Sequence, residues 1–156
     1  MRVAEATTES ELAAARALIE EYAASLDIDL GFQGFDEEIA HFPRGYSPPD
    51  GAVYVAWEGE EPAGVVALRR FRGSVCEMKR LYVRPAHRGK GLGRKLSVEV
   101  IAAARRLGYT RMWLDTLPTM DAAIGIYRAL GFHDIPAYRF NPVAAARYME
   151  LELAPG

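Results

Sequence analysis

The chain has 156 residues, half of them apolar, with a formal net charge of −2 at pH 7 and a pI of about 5.9. This length supports one domain with a sizeable core, spanning residues 1–156, and is too short for two ordinary domains. The basic residues are not concentrated in one tail, so no nucleic-acid-binding surface is expected. A cationic or neutral small substrate fits this charge balance better.

Cysteine content and hydropathy limit the compartment. Cys76 is the single cysteine, which excludes an internal disulfide and any cysteine-based metal site. Residues 1–10 lack the apolar run of a signal peptide, and no stretch approaches the ~18 apolar residues of a membrane span. We therefore expect a soluble, cytoplasmic protein with no membrane partner.

The chain begins with a predicted edge strand at residues 2–6. Thr8 and Glu11 then have the spacing of a capping box, which predicts the start of a long helix. Its apolar positions recur at helical spacing: Leu12, Ala15, Leu18, Ile19, Tyr22 and Leu26. A second, short helix is predicted over residues 35–42, before a proline-rich and glycine-rich loop.

A block of strands follows this loop. The β-rich runs lie at residues 52–57, 63–71 and 75–83. Turn residues at 58–62 predict a hairpin between the first two runs. The third run is interpreted as the central strand of the sheet.

The second half of the chain alternates helices and strands. Helices are predicted at residues 91–107 and 121–130, and strands at 109–116, 134–141 and 145–153. Strands in a row, then alternating helices and strands, then strands again are typical of a mixed α/β sheet with helices packed on it.

A glycine-rich turn between the central strand and the following helix is the clearest functional signal. Its residues are Arg88, Gly89, Lys90, Gly91, Leu92, Gly93 and Arg94. Glycines let the backbone curl closely around a ligand, and a helix N-terminus offers unpaired N–H groups and the positive end of a dipole. Together with the basic side chains, these features predict a site for a polyphosphate.

Two known phosphate loops do not fit this turn. A P-loop requires Ser or Thr after its Gly-Lys pair, whereas Gly91 follows Lys90 here. The dinucleotide pattern lies early in a repeated strand-helix-strand unit, whereas these evenly spaced glycines lie past mid-chain. ATP and NAD are therefore both disfavoured as ligands.

The remaining pattern, Arg88-x-x-Gly91-x-Gly93 after a strand that ends in Leu81-Tyr82-Val83, resembles the acyl-CoA-binding signature of the GNAT superfamily of N-acyltransferases. The segments Cys-Glu-Met-Lys-Arg-Leu-Tyr-Val, Leu-Asp-Thr-Leu-Pro and Tyr-x-x-Asn-Pro are also similar to GNAT sequences. The resemblance covers nearly the whole chain. It implies an α/β fold with a mixed, mostly antiparallel sheet of about seven strands, flanked by the four predicted helices.

The same resemblance implies acetyl-CoA as the co-substrate, with its pyrophosphate on residues 88–94. The backbone of Leu81, Tyr82 and Val83 would hold the acyl and pantetheine part, because a bulge there would free N–H groups toward the ligand. These N–H groups could also stabilise an oxyanion. Where the family commonly has Asn, this chain has Met120, so any contact made by that Asn is absent.

Glu77 is the expected catalytic base. A free alkyl amine has a pKa near ~10.4 and is mostly charged at pH 7, so amide formation requires a proton acceptor. Glu77 matches the position of the catalytic glutamate in those GNAT members that use one there. An ion pair with Lys79 or with nearby arginines is the structural alternative.

Tyr127 is the expected catalytic acid. It lies in a segment similar to the family segment whose tyrosine protonates the departing CoA sulfur, and a phenol can donate to a thiolate. The alternative is a core aromatic at helical spacing. Asp115 and Thr116 end the predicted fifth strand, where contact with CoA or the capping of a turn are both open.

We predict an N-acetyltransferase that transfers acetyl from acetyl-CoA directly to the primary amine of a small molecule. Candidate acceptor contacts are Phe32, Gln33, Arg80, Tyr138 and Arg139. The histidines show no metal-like spacing, so no metal is assigned. A non-catalytic acyl-CoA sensor and a protein or peptide acetyltransferase stay open as alternatives, as does a homodimer formed through sheet edges.

Overall fold

Seven strands form one sheet in the computed structural model, which describes residues 1–26, 34–139, 141, 143 and 145–153. In chain order they are β1 (Arg2–Glu5), β2 (Ala52–Glu58), β3 (Glu61–Arg72), β4 (Val75–Val83), β5 (Arg111–Thr116), β6 (His133–Ile135) and β7 (Arg147–Glu152). Across the sheet the order is β1-β2-β3-β4-β5-β7-β6. Strands β4 and β5 pair in parallel, and the other described pairs are antiparallel.

The α-helices of the described chain are α1 (Glu9–Ser25), α2 (Phe35–Ala40), α3 (Leu92–Arg106) and α4 (Asp121–Ala129). The predicted capping box is present: the Glu11 N–H donates to Thr8 Oγ1 at 3.2 Å, and the Thr8 N–H donates to Glu11 Oε1 at 3.0 Å. The predicted α/β class, with a mixed and mostly antiparallel seven-stranded sheet and four helices, is confirmed for the described residues. None of these helices is long and apolar enough to cross a membrane.

The sheet is covered on both faces. One core packs α3 against the sheet through residues such as Leu96, Val100 and Met112, and the other packs α1 through Leu18 and Ile19. Alternate residues of β2 and β3 enter the two cores, which explains why both strands are nearly continuous apolar runs. Burial on both faces leaves the strand ends and the edges of the sheet as the places for polar chemistry.

Several element boundaries differ from the predictions, among them the following. The strand predicted at 134–141 ends at Ile135, because Pro136 has no N–H to donate to the ladder. The second helix ends at Ala40 rather than at residue 42, close to Pro43. Strand β5 begins at Arg111, two residues later than predicted.

Two irregularities of β4 shape the centre of the sheet. Strand β4 pairs with β5 only from Val75↔Arg111 to Glu77↔Trp113. Its pairing with β3 shifts between Val65 and Ala67, and Arg80 there has a positive φ of 63°. An extra residue in one strand is a β-bulge, which bends the strand and leaves backbone groups outside the ladder. The sheet therefore opens between β4 and β5 beyond Glu77.

Candidate active site

The glycine-rich turn lies between β4 and α3, as the sequence predicts. Gly89 and Gly91 have φ values of 81° and 78°, a conformation that side chains rarely adopt, and a Cβ at either position would meet nothing within 4 Å. Gly91 is the N-cap of α3, and no side chain of the described residues caps that helix end. The first N–H groups of α3 are thus available to an external anion.

The basic side chains around this turn have different settings. The Arg88 Nε donates to the Val83 carbonyl at 3.0 Å, which ties the turn to the end of β4. Lys90 Nζ lies 3.8 Å from a carboxylate oxygen of Glu58, and both side chains are about half exposed. Leu92 is buried in the core below the helix start, so its predicted contribution to a ligand is limited to its backbone.

A cavity lies where β4 and β5 separate. The lining residues described include Lys79, Arg80 and Leu81 from β4, Asp115 and Thr116 from β5, Tyr22 and Leu26 from the α1 side, and Met120 and Tyr127 from the start and body of α4. Leu81 lies next to the bulge, so its backbone is exposed to this space rather than held in a regular ladder. Tyr82 instead packs toward α1, where its hydroxyl donates to Glu21 Oε2 at 2.8 Å.

Tyr127 enters the cavity from α4. It is 6% exposed, and its ring packs against Phe132 with 5.6 Å between centroids. Burial, together with the fields of Tyr22 and Asp115, raises the pKa of the phenol above its ordinary value. The hydroxyl therefore stays protonated at neutral pH, which is the form that a proton donor requires.

Glu77 is fully buried and bound on both carboxylate oxygens. Arg69 donates to Oε1 from Nε at 3.0 Å and from Nη2 at 2.9 Å. Tyr138 and Arg139 donate to Oε2 at 2.7 Å and 2.6 Å. Burial alone would raise the pKa of Glu77, but the charges of Lys79, Arg69 and Arg139 outweigh it and hold that pKa below its ordinary value.

The contacts of Glu77 favour the ion-pair alternative, with the arginines as partners. Tyr138 and Arg139, which were predicted as acceptor contacts, are the residues that complete this network. Phe71, Trp113 and Tyr148 surround the Tyr138 ring at centroid distances of 4.8–5.2 Å. No local sequence signal predicts these contacts, because Glu77 and Arg139 are 62 positions apart.

The remaining acceptor candidates divide in two. Arg80 lines the cavity, but its guanidinium forms a bidentate pair with Glu38 of α2 at 2.9 Å and 3.0 Å, and its side chain is 3% exposed. This pair holds α2 against β4. Phe32 and Gln33 lie outside the described residues, so their predicted role is not placed.

Lys79 and Asp115 form the other charged pair of the cavity. Lys79 Nζ lies 3.5 Å from Asp115 Oδ1, and both side chains are 4% exposed. Burial lowers the pKa of Lys79 to about 8, although Glu77 and Asp115 act in the opposite direction. The second oxygen of Asp115, Oδ2, is buried and has no hydrogen-bond partner among the described residues.

In the part of the chain that the structure describes, no group of three or more His, Cys, Asp or Glu residues is placed to hold a metal ion. Cys76 is buried, and burial raises the pKa of its thiol to about 12, so it is not an activated nucleophile.

Comparison with known proteins identifies this architecture. Residues 13–132 match the model of the Acetyltransferase (GNAT) family. An uncharacterized N-acetyltransferase of Schizosaccharomyces pombe is 43% identical over 139 residues, which cover 88% of this chain and 85% of that protein.

Solved structures agree. A GNAT-family acetyltransferase from Staphylococcus aureus has a TM-score of 0.79 at 19% identity, over 97% of this chain and 98% of that one. A structure from Salmonella typhimurium described with its cofactor acetyl-CoA has a TM-score of 0.72 at 22% identity, over 97% and 93% of the two chains. These likenesses show a shared fold.

Acyltransferases with this fold have a mixed sheet that opens between its parallel strands, next to a glycine-rich helix start. This chain has both features. The chain belongs to the GNAT family and is an N-acetyltransferase.

Proposed function

We propose that this protein transfers the acetyl group of acetyl-CoA directly to the primary amine of a small molecule. The observation that carries the proposal is the cavity between β4 and β5, which Tyr127 and the bulged residue Leu81 share with the buried charges of Lys79 and Asp115. The cavity adjoins the strand that leads into the turn before α3. The proposed phosphate-binding turn therefore follows directly after the strand that lines the cavity.

The turn supports the acetyl-CoA part of the proposal. Gly89 and Gly91 leave an open backbone concavity, and the uncapped N–H groups of α3 with Arg88 and Arg94 would bind the pyrophosphate. When bound, acetyl-CoA supplies an activated thioester. The backbone next to the bulge, at Leu81 and Val83, would hold the pantetheine chain and polarise the carbonyl.

Tyr127 is proposed to protonate the leaving sulfur. It lines the cavity as a neutral, buried phenol, so it holds a proton that a departing thiolate can accept. Glu77 as the catalytic base stays a prediction, and its four hydrogen bonds leave little of its carboxylate for a substrate.

The acceptor side favours a small molecule over an extended peptide. Tyr22 and Leu26 of the α1 side line the cavity, and the Arg80–Glu38 pair fixes α2 beside it. This placement of α1 and α2 supports a small acceptor, because it restricts the open groove that an extended peptide requires.

Release of free thiol from acetyl-CoA, measured against polyamines, amino acids, aminoglycosides and short lysine peptides, tests this function. Turnover with one small-amine class, and an N-acetylated product identified by mass spectrometry, is the expected result. Turnover restricted to peptides would replace the proposal by a peptide acetyltransferase. Tight acetyl-CoA binding with no thiol release across the panel would replace it by the sensing module.

A further inference from the structure

Asp115 carries a buried carboxylate oxygen that no described residue satisfies. Its Oδ2 has no hydrogen-bond partner among these residues, although the side chain is only 4% exposed. A buried acceptor of this kind destabilises the folded protein unless a group donates a hydrogen bond to it. The oxygen belongs to a residue that lines the cavity, so a donor from a ligand can satisfy it.

From this placement we propose that Asp115 binds the amino group of the acceptor and receives its proton during acetyl transfer. The inference rests on the proposed function, since it assigns a residue to the same cavity. Within that cavity, β5 presents Asp115 two residues beyond Trp113, the last residue paired with β4. The opening between β4 and β5 therefore begins beside this carboxylate.

Lys79 positions this carboxylate. Its Nζ lies 3.5 Å from Oδ1, whereas Oδ2 has no hydrogen-bond partner among the described residues. The Lys79 ammonium group beside Oδ1 fixes the orientation of the carboxylate, so that Oδ2 is the oxygen assigned to the acceptor. Lys79 is thus assigned a positioning role, and Asp115 the contact with the acceptor.

The proton steps balance with Tyr127 as the acid. The amine nitrogen forms a bond to the thioester carbonyl carbon, and its N–H proton passes to Asp115 Oδ2. As the C–S bond breaks, the sulfur takes the phenol proton of Tyr127. The proton on Asp115 then returns to the Tyr127 oxygen through solvent, so one N–H is lost for each S–H formed. An acceptor that arrives as an ammonium ion first releases one proton to solvent.

The contacts separate Asp115 from Glu77 in this role. Both carboxylate oxygens of Glu77 accept hydrogen bonds, whereas Oδ2 of Asp115 accepts none from the described residues. Glu77 would have to give up an arginine or Tyr138 to meet a substrate. Asp115 Oδ2 can accept a hydrogen bond from a substrate without breaking one to a described residue.

Asp115→Asn and Asp115→Ala, assayed by thiol release with the best amine of the panel, test the proposal. Loss of a general base typically lowers the rate ~100-fold or more, so we expect a drop of that size in kcat/KM for both variants. Acetyl-CoA binding, measured by calorimetry, should be unchanged. Added formate should restore part of the activity of Asp115→Ala in a dose-dependent way, because a free carboxylate can occupy the vacated place.

Asp50→Asn is the matched control. Asp50 pairs with Arg70 at 3.0 Å on the surface, with its side chain 53% exposed, and should keep full activity when neutralised. Activity of Asp115→Asn within about threefold of the native protein would overturn the proposal, as would absence of formate rescue in a folded Asp115→Ala that binds acetyl-CoA. If the native chain itself releases no thiol with any amine, the proposed function fails, and this assignment fails with it.

Discussion

Tyr127 on α4 and Asp115 on β5 line the same cavity, and the carboxylate of Asp115 adds to burial in raising the pKa of the Tyr127 phenol. Both residues therefore border the space in which Tyr127 is the proposed proton donor and Asp115 the proposed proton acceptor. The pair joins two segments that contribute separately to the sheet and to its covering helices.

Removal of the Tyr127 hydroxyl should slow turnover without loosening the fold. Tyr127→Phe keeps the ring contact with Phe132 and deletes the proposed acid, so we expect kcat to fall by ~100-fold with acetyl-CoA binding unchanged. Thiol release and calorimetry measure the two effects. Tyr54→Phe, which deletes another buried phenol hydroxyl in the same core, is the control and should stay active. Equal activity of the two variants would remove Tyr127 from the mechanism.

Gly91 should be needed for acetyl-CoA and not only for the backbone. Gly91→Ala places a Cβ on a residue with a φ of 78°, which costs about 1 kcal/mol of stability. It also adds a methyl group to the turn that is proposed to bind the pyrophosphate. We expect a similar loss of stability from Gly59→Ala, since Gly59 has a φ of 61° in the β2–β3 turn and also has open space around it. Only Gly91→Ala should weaken acetyl-CoA binding by calorimetry. Equal acetyl-CoA affinities of the two variants would contradict the proposal that the turn before α3 binds the pyrophosphate.

Arg88 should contribute charge to the same site. Arg88→Gln removes one cation near the helix start while leaving a side chain that can reach the Val83 carbonyl. We expect acetyl-CoA affinity to fall ~10-fold and to depend less steeply on salt concentration, because one ionic contact is lost. Arg16→Gln, in an exposed pair with Glu20 on α1, is the control. An unchanged salt dependence would place Arg88 outside the phosphate site.

Glu77 should be required for stability. Glu77→Gln removes a buried carboxylate and leaves the partly buried guanidinium groups of Arg69 and Arg139 without a counter-ion, so we expect about 3 kcal/mol of destabilisation by urea unfolding at neutral pH. The pKa of Glu77 is lowered in the folded protein, so its contribution is present above the ordinary carboxyl pKa and is lost as pH falls through the folded-state pKa. The difference between native protein and variant should therefore shrink toward acid pH. A stable variant with abolished turnover would instead support Glu77 as the base.

Because of Lys79, the free energy of unfolding should increase between neutral and alkaline pH. Its pKa falls from 10.5 to about 8 on folding, so between these values the unfolded chain binds a proton that the folded chain has released. Stability therefore rises with pH across this window, by up to roughly 3 kcal/mol for this group. The free energy of unfolding in urea is measured at about pH 7 and about pH 10 for the native protein and for Lys79→Met. The increase between the two pH values should be larger in the native protein. Parallel pH profiles of the two proteins would show that Lys79 keeps an ordinary pKa.

Much of the local structure could be predicted because its causes are local. The capping box of Thr8 and Glu11, the amphipathic stripe of α1 and the glycines before α3 act over one to four residues, and each is present in the structure. Strand boundaries were less accurate where a proline decided them, as at Pro136 after the short β6. The candidate site could be predicted only in part: Glu77, Tyr138 and Arg139 were named from the sequence, but the hydrogen bonds of Tyr138 and Arg139 to Glu77 were not predicted.

The sequence by itself determined the elements, their order and the glycine-rich helix start, because helix caps, side-chain periodicity and glycine conformations depend on neighbouring residues. Only the tertiary structure decided which charges meet. The early end of the β4–β5 pairing opens the sheet, and the bulge at Arg80 turns the chain, so that Lys79 and Asp115 come within 3.5 Å while Glu77 is enclosed by two arginines. These contacts join residues that are 8 to 62 positions apart, so no local sequence pattern specifies which of them meet.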